Sequence, residues 1–361
     1  MGIKMPTSTK LGKPKTLISL FSGCGGLDLG LARAGFQVLF ASDIDANCQK
    51  SFSNNFDCVP YFKGSISQVD RKVIEKHVNG NVKSVDLLAG GPPCPPFSKS
   101  RFYRKEKPRA LDDPLGDETI NGYLNALRVI RPRAFLLENV AGLAYKVHND
   151  ALQHILKVAE ELGYECAQKV INAADYGVPQ KRERFILIGM RGHKFVFPQQ
   201  THADPKKRNF ETLNCAPWKT TGEVLLDLDT EENADDAGHF AGGRHHELLK
   251  QVPPGDNYLF FTEKRKHPKP IFKWRSRYWS FLLKLSPDLP SWTIQARRSN
   301  NMGPFHWRNR ILRLEEILRL QTFPDHWTIS GTVEEQWRQI GNAVPPKLAE
   351  VLGKAIAGQL D

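Results

Sequence analysis

Cysteine is scarce and unpaired in this sequence: there are six among 361 residues, at positions 24, 48, 58, 94, 166 and 215. None forms a Cys-x-x-Cys pair or stands at zinc spacing from a histidine. This argues against a structural zinc site, and a disulfide framework does not suit a chain of this size without a secretion signal. Most of these cysteines are expected to be small buried hydrophobes. Long apolar runs are missing too, since none reaches the ~18 residues of a membrane-spanning helix. Residues 1–15 are polar and basic with no apolar centre, so no signal peptide is expected. Pro6 stands where the myristoylation pattern needs Ser or Thr. Internal repeats and long low-complexity tracts are absent. With 40% hydrophobic and 25% charged residues, disorder, collagen and coiled coil are excluded as the main architecture. The expectation is a soluble cytoplasmic protein of about two domains with a sizeable core and no metal.

Acidic residues are also in short supply: 39 Asp and Glu face 51 Lys and Arg, a net charge of +12. The surplus is concentrated. Residues 99–109 hold six basic side chains against one acidic, and residues 257–310 hold 12 against 2, with 11 aromatics. The stretch 191–255 has 8 basic and 10 acidic residues. Cations interleaved with Tyr, Phe and Trp suit phosphate binding and base stacking. A solvated basic face over an aromatic core is the plainer alternative.

From residue 16 to about 190, short apolar runs alternate with helical patterns. Strands are expected over 16–21, 36–42, 85–89, 134–138, 164–172 and 185–190, with helices over 27–34, about 43–55, 119–130 and 150–162. Such alternation predicts an α/β fold with a mostly parallel sheet and helices on both faces. Ligands then sit beyond the carboxyl ends of the strands. Residues 191–290 show no sustained period and read as a loop-rich second domain. In 345–360, Leu348, Val351, Leu352, Ala355 and Ile356 follow helical spacing, so a terminal amphipathic helix should return to the first domain. The expected division is a basic arm 1–15, a discontinuous catalytic domain 16–190 and 310–361, and a recognition domain 191–309.

Two loops carry chemistry. Phe21-Ser-Gly-Cys-Gly-Gly26 follows a strand and opens a helix, where glycines let a ligand approach the backbone and the helix N-terminus favours anionic groups. Asp43 ends the second strand, the place from which an acidic side chain binds ribose hydroxyls. NAD, FAD and S-adenosylmethionine all offer a ribose, so this loop alone does not choose among them. After the strand 85–89 comes Gly90-Gly-Pro-Pro-Cys-Pro-Pro-Phe-Ser98. Four prolines bracket Cys94 and restrict its backbone, the setting of an aimed nucleophile with cations following it.

These segments, with Glu138-Asn-Val140, Gln180-Lys-Arg-Glu-Arg184 and Gly341-Asn-Ala-Val-Pro-Pro346, resemble in order and spacing the motifs of the DNA (cytosine-5) methyltransferases of prokaryotic restriction–modification systems. The resemblance implies a Rossmann-like methyltransferase domain and a smaller target-recognition domain. It further implies methyl transfer from S-adenosylmethionine, leaving S-adenosylhomocysteine, to C5 of a flipped-out cytosine in a specific double-stranded DNA sequence. By the same resemblance Cys94 attacks C6, Glu138 meets N3 with a raised pKa, Arg184 contacts the cytosine carbonyl, and Arg182 holds the catalytic loop and a target phosphate. The cofactor would meet Phe21, Gly23, Gly25, Asp43, Ile44, Ser65, Ile66, Pro93, Leu115, Asn342 and Val344. Ile44 and Ser65 depart from the family, which commonly has an aromatic and an Asp there. Ser98, Lys99, Arg101 and Arg104 in the loop, and Lys273, Arg275, Arg277, Arg297 and Arg298 beyond it, are the candidate DNA contacts. A monomer acting beside a cognate endonuclease, without a stable complex, would protect host DNA.

Alternatives remain open at this point. A tRNA-methylating branch of the same family is one, although its Cys-Phe-Thr signature is absent. A Rossmann oxidoreductase would share the glycine loop but leave Pro92–Phe97 unexplained. A catalytically inactive DNA-binding protein would have no need of Cys94, Glu138 and Arg184.

Overall fold

The computed structural model describes residues 14–78, 84–93, 110–207, 209–230, 241–275 and 278–361. The central sheet is built from β1 (Lys15–Leu20), β2 (Phe36–Asp43), β3 (Tyr61–Lys63), β4 (Leu87–Gly90), β5 (Ala134–Val140), β6 (Glu165–Asn172) and, after the short β7 (Gln180–Lys181), β8 (Glu183–Met190). Its seven strands run in the order β3-β2-β1-β4-β5-β8-β6. The pairs from β3 to β5 are parallel, whereas β8 is antiparallel to both β5 and β6. The chain between β6 and β8 is a 3-10 turn over Ala173–Tyr176 and the two residues of β7. That link carries no helix and is too short for a parallel crossover, so β8 returns alongside its neighbour. The expected sheet is thus mostly parallel, with one antiparallel strand.

Strand side chains alternate faces. Leu17, Leu87, Leu136, Ile186 and Ile188 share one core cluster, while Ile18, Leu88, Phe135, Leu137 and Leu187 lie in the other. Because both faces are buried, the strands read as near-continuous apolar runs. The helices α1 (Gly26–Arg33), α2 (Ala46–Asn55), α3 (Arg71–His77), α4 (Pro114–Ile130) and α5 (Asn149–Glu161) connect the strands. Helix α4 begins five residues earlier than its apolar pattern suggests, because Asp113 caps it by accepting from the Leu115 N–H (3.0 Å) and Pro114 occupies the first turn.

Between β8 and residue 313 the described residues form only short elements, among them β9 (His202–Ala203), β10 (Ala216–Pro217), α6 (Gly222–Leu225), α7 (His246–Gln251) and β11 (Ser291–Trp292). Apolar side chains of this stretch, Leu225, Leu249, Phe261, Leu285 and Phe305 among them, join the same cluster as α1. Helices α8 (Leu314–Leu320), α9 (Val333–Asn342) and α10 (Pro346–Gln359) complete the chain. Helix α10 lies on α1, with its apolar stripe Leu348, Leu352 and Ile356 in the core. Each helix offers a glycine where the two meet. A Cβ on Gly30 would stand 2.3 Å from the Pro346 carbonyl oxygen and 2.4 Å from Ala349 Cβ, and one on Gly353 would stand 2.7 Å from Ala34 Cβ. No helix among the described residues is long and apolar enough to cross a membrane.

Because backbone, rather than a mobile side-chain end, meets the added carbon, Gly30→Val should force α10 away from α1. The expected cost is about 1–3 kcal/mol, read as a lower urea midpoint with an unchanged slope. An unaltered midpoint would show that the helices tolerate the wider spacing.

Candidate active site

A cavity of about 400 Å³ opens at the carboxyl end of the sheet, where β1, β2, β4 and β5 finish. Its floor begins with an unusual turn. Phe21 adopts a left-handed backbone (φ 55°), Gly23 and Gly25 also have positive φ, and Gly25 serves as the N-cap of α1. An aromatic residue held in that region is strained and persists only where its surroundings fix it. Here the Ser22 N–H donates to the Ser42 carbonyl (2.9 Å) and the Gly25 N–H to the Ser22 carbonyl (2.9 Å).

Asp43, at the tip of β2, accepts from the Gly23 N–H through Oδ2 (3.0 Å) and from the Asp45 N–H through Oδ1 (3.0 Å). Burial raises its pKa against these donors. The carboxylate therefore ties the glycine loop to the second strand and keeps lone pairs for a diol. Of the eleven residues expected at the cofactor, ten line the cavity. Gly25 lies beneath it, where a Cβ would meet Phe56 Cε2 at 2.8 Å. Ile44 is 71% exposed at the mouth, with Ser65 and Ile66 beside it.

The far end holds Glu138 and Arg184. In the β5–β8 ladder Glu138 faces Ile186 and Val140 faces Arg184. The two charged residues are consequently diagonal neighbours on one face. Arg184 Nε lies 2.8 Å from Glu138 Oε1, both side chains being largely buried. Burial raises the Glu138 pKa, and the guanidinium groups of Arg184 and Arg182 only partly offset it. A Cβ at residue 91 would lie 3.0 Å from Glu138 Oε2, so the Gly91 step lets the backbone pass beside this carboxyl. Asn139 fixes that passage by donating through Nδ2 to the Pro92 carbonyl (3.2 Å). Pro93 lines the same cavity as Glu138 and Arg184. Cys94, Ser98, Lys99, Arg101, Arg104 and Arg277 lie outside the described residues.

Arg182 has a different setting from the one expected. It is 1% exposed, and its guanidinium donates to the carbonyls of Ile294 (3.1 Å), Gly341 (2.8 Å) and Ala343 (2.9 Å). It thereby straps the segment carrying Asn342 and Val344 across the cavity.

Among the candidate DNA contacts, Lys273, Arg275 and Arg297 are exposed. Arg298 turns inward, with an 11% exposed side chain and its guanidinium 4.0 Å from Glu334. Part of the basic density in 257–310 is internal. Lys284 is buried, which pulls its pKa down to about 8, and Arg310 grips Glu316 through two bonds of 2.9 and 2.6 Å. The cysteines also differ from expectation. Cys24 and Cys48 are buried, but Cys58 is exposed and Cys166 and Cys215 are half-buried. Burial pushes the Cys24 thiol up to about 12.

Glu118 and Arg338 line the cavity without having been singled out in the sequence. Glu118 precedes the recognisable apolar period of α4, and Arg338 belongs to α9, where it pairs with Asp45 at 2.7 Å.

The raised Glu138 pKa has a consequence for stability. A carboxyl that is harder to ionise when folded supports the fold below its unfolded pKa, and that support fades as pH rises through the folded value. The stability of the wild type relative to Glu138→Gln should therefore fall from pH 4 towards pH 8 in urea titrations. A constant difference would show that Glu138 titrates alike in both states.

Comparison with known proteins fits this geometry. The family model for C-5 cytosine-specific DNA methylases matches residues 15–358. The chain is 37% identical over 370 residues to the type II methyltransferase M.SacI of Streptomyces achromogenes, covering 95% of this chain and 93% of that one. It is 34% identical to M.PspPI of a Psychrobacter species, over 96% of this chain and 80% of the relative. In fold it is similar to the S. pombe Dnmt2 methyltransferase (TM-score 0.64, 16% identity, 97% of this chain and all of that one). It is also similar to the Entamoeba histolytica methyltransferase EhMeth (TM-score 0.60, 17% identity, 97% and 100%). With the family model spanning nearly its whole length, the chain belongs to the C-5 cytosine-specific DNA methylases and is a DNA cytosine-5 methyltransferase of the restriction–modification type, dependent on S-adenosylmethionine.

Proposed function

We propose that this enzyme methylates C5 of a cytosine flipped out of a specific double-stranded DNA sequence, through a transient bond between Cys94 and C6. The observation that carries this reading is the buried Glu138–Arg184 pair in one cavity with the glycine loop and Asp43. The residues present suit the cofactor: a backbone-lined turn at a helix N-terminus, a carboxylate at the tip of β2, and the apolar side chains Ile44, Ile66 and Val344. When bound, S-adenosylmethionine supplies an electrophilic methyl group.

The protein's part follows from its own groups. Glu138, whose pKa burial raises, donates a proton to cytosine N3 and draws electrons from the ring. Arg184 orients Glu138 and faces the carbonyl oxygen. The Cys94 thiolate adds to C6, and the displaced electron pair makes C5 nucleophilic towards the methyl. Loss of the C5 proton to a base then expels the thiolate, restoring Cys94 and the ring. A base stacked in a duplex is out of reach of this cavity, so it must swing out at a cost of a few kcal/mol.

We also assign 191–309 to target recognition, 16–190 with 310–361 to catalysis, and Lys273, Arg275 and Arg297 to the DNA-facing side. The enzyme would act as a monomer and shield host DNA from a companion endonuclease.

DNA carrying 5-fluorocytosine at the target should trap the enzyme covalently in the presence of S-adenosylmethionine, because fluorine cannot leave as the proton does. Cys94→Ala should lose both adduct and methylation while still binding DNA; retained turnover would refute the nucleophile. Replacing Lys273, Arg275 and Arg297 with Ala should weaken binding across sequences and reduce the logarithmic salt slope by roughly one for each phosphate no longer neutralised. An unchanged slope would remove this face from the interface.

A further inference from the structure

We propose that Glu118 is the hydrogen-bond acceptor by which this enzyme selects adenine, a part played from helix α4. The proposal rests on the reading that the cavity holds an adenosyl cofactor. It starts from the direction of the cavity. Among the lining residues, Gly91, Glu138 and Arg184 follow or lie on β4, β5 and β8, Asp43 and Ile44 are at the end of β2, and Ser65 and Ile66 follow the edge strand β3, with Glu118 bonded to Ser65. With the ribose at Asp43 and the methyl near Glu138, the purine falls between Ile44 and Ile66. Its 6-amino group is a donor that needs an acceptor at the edge formed by Ser65 and Glu118.

Glycine at residue 122 puts Glu118 there. A Cβ on Gly122 would stand 2.5 Å from Ile66 Cγ2, so α4 approaches the 3-10 turn Ile66–Gln68 more closely than any larger residue permits. Glu118 lies one helical turn earlier on the same face, which brings its carboxylate to the cap of that turn, where Ser65 Oγ donates to Glu118 Oε1. The Ser65 backbone is held in turn, its N–H donating to Gln68 Oε1 (3.2 Å).

The other carboxylates near this end are already engaged. Asp45 caps α2 by accepting from the Asn47 N–H (2.8 Å) and pairs with Arg338, while Asp43 holds the Gly23 and Asp45 amides. Glu118 has no cationic partner among the described residues. An acceptor-only group fixed by a serine hydroxyl suits an amino group and offers nothing to a purine without one.

The test is a binding cycle without DNA, by isothermal titration with S-adenosylhomocysteine and with its analogue carrying hydrogen in place of the 6-amino group. The wild type should prefer the amino form about 10- to 100-fold, as expected for a hydrogen bond to a charged acceptor. Glu118→Ala should bring the two affinities to within about 2-fold, and Glu118→Gln, which keeps a neutral acceptor, should fall between. Glu118 is exposed on α4, and circular dichroism should report folded variants. Equal preference in wild type and Glu118→Ala overturns the proposal while leaving the cofactor reading intact. If the wild type binds neither compound, the cofactor reading falls and takes this proposal with it.

Discussion

A single buried guanidinium holds three distant parts of the chain together. Arg182 leaves the link between β7 and β8 and meets carbonyls from Ile294, just past β11, and from residues 341 and 343 near the C-terminus. A charge taken out of water needs nearly every donor satisfied, and the planar fork of arginine reaches several acceptors at once where an ammonium would act as a point. Gln180 adds to the same junction, its Oε1 accepting from the Ile294 N–H (3.0 Å) and its Nε2 donating to Gln321 (2.9 Å). The cavity has a wall of residues 341–344 because this junction brings the end of the chain back to the sheet. The small elements of 191–309 depend on it as well, since Ile294 anchors their far end to the sheet before the chain turns towards α8.

The second constraint is the antiparallel insertion of β8. Reversing that one strand puts Arg184 diagonal to Glu138 at the carboxyl end of the sheet, where β4 delivers Gly91 and Pro93. Two effects then oppose each other on the carboxyl. Burial raises its pKa, the guanidinium groups of Arg184 and Arg182 lower it, and the net shift is upward. The balance matters chemically, because an acid left wholly to burial would release its proton reluctantly and one dominated by arginine would have none to give. Contact with Arg184 keeps this carboxyl aimed at one place while burial raises its pKa.

Charge between residues 225 and 316 divides between structure and surface. Arg310 and Glu316 form a fully buried pair beside His306, whose pKa burial lowers to about 3, and Arg308 engages Asp229. These groups fasten 305–316 to the 225–230 stretch. The lysines and arginines over 264–275 remain in water beside Trp274, where long-range attraction to a polyanion is available.

The sequence by itself made most strands and helices of the first 190 residues legible, because both periods of side-chain burial are written locally, and Asp43, Glu138 and Arg184 stood out because they sit in motifs whose order is itself the signal. It missed β3 and α3, where three-residue and polar stretches leave too little period to read. It placed Arg298 on the DNA-facing surface and gave Arg182 the catalytic loop and a target phosphate, since a count of charges carries no information about which carbonyls or carboxylates will meet them. That Arg182 is a strap, that part of the basic surplus is internal, and that Glu118 stands at Ser65 emerged from the folded chain alone. Each of these depends on contacts between residues far apart in sequence, and a glycine such as Gly122 shows its purpose only when the element it admits, Ile66, is in place.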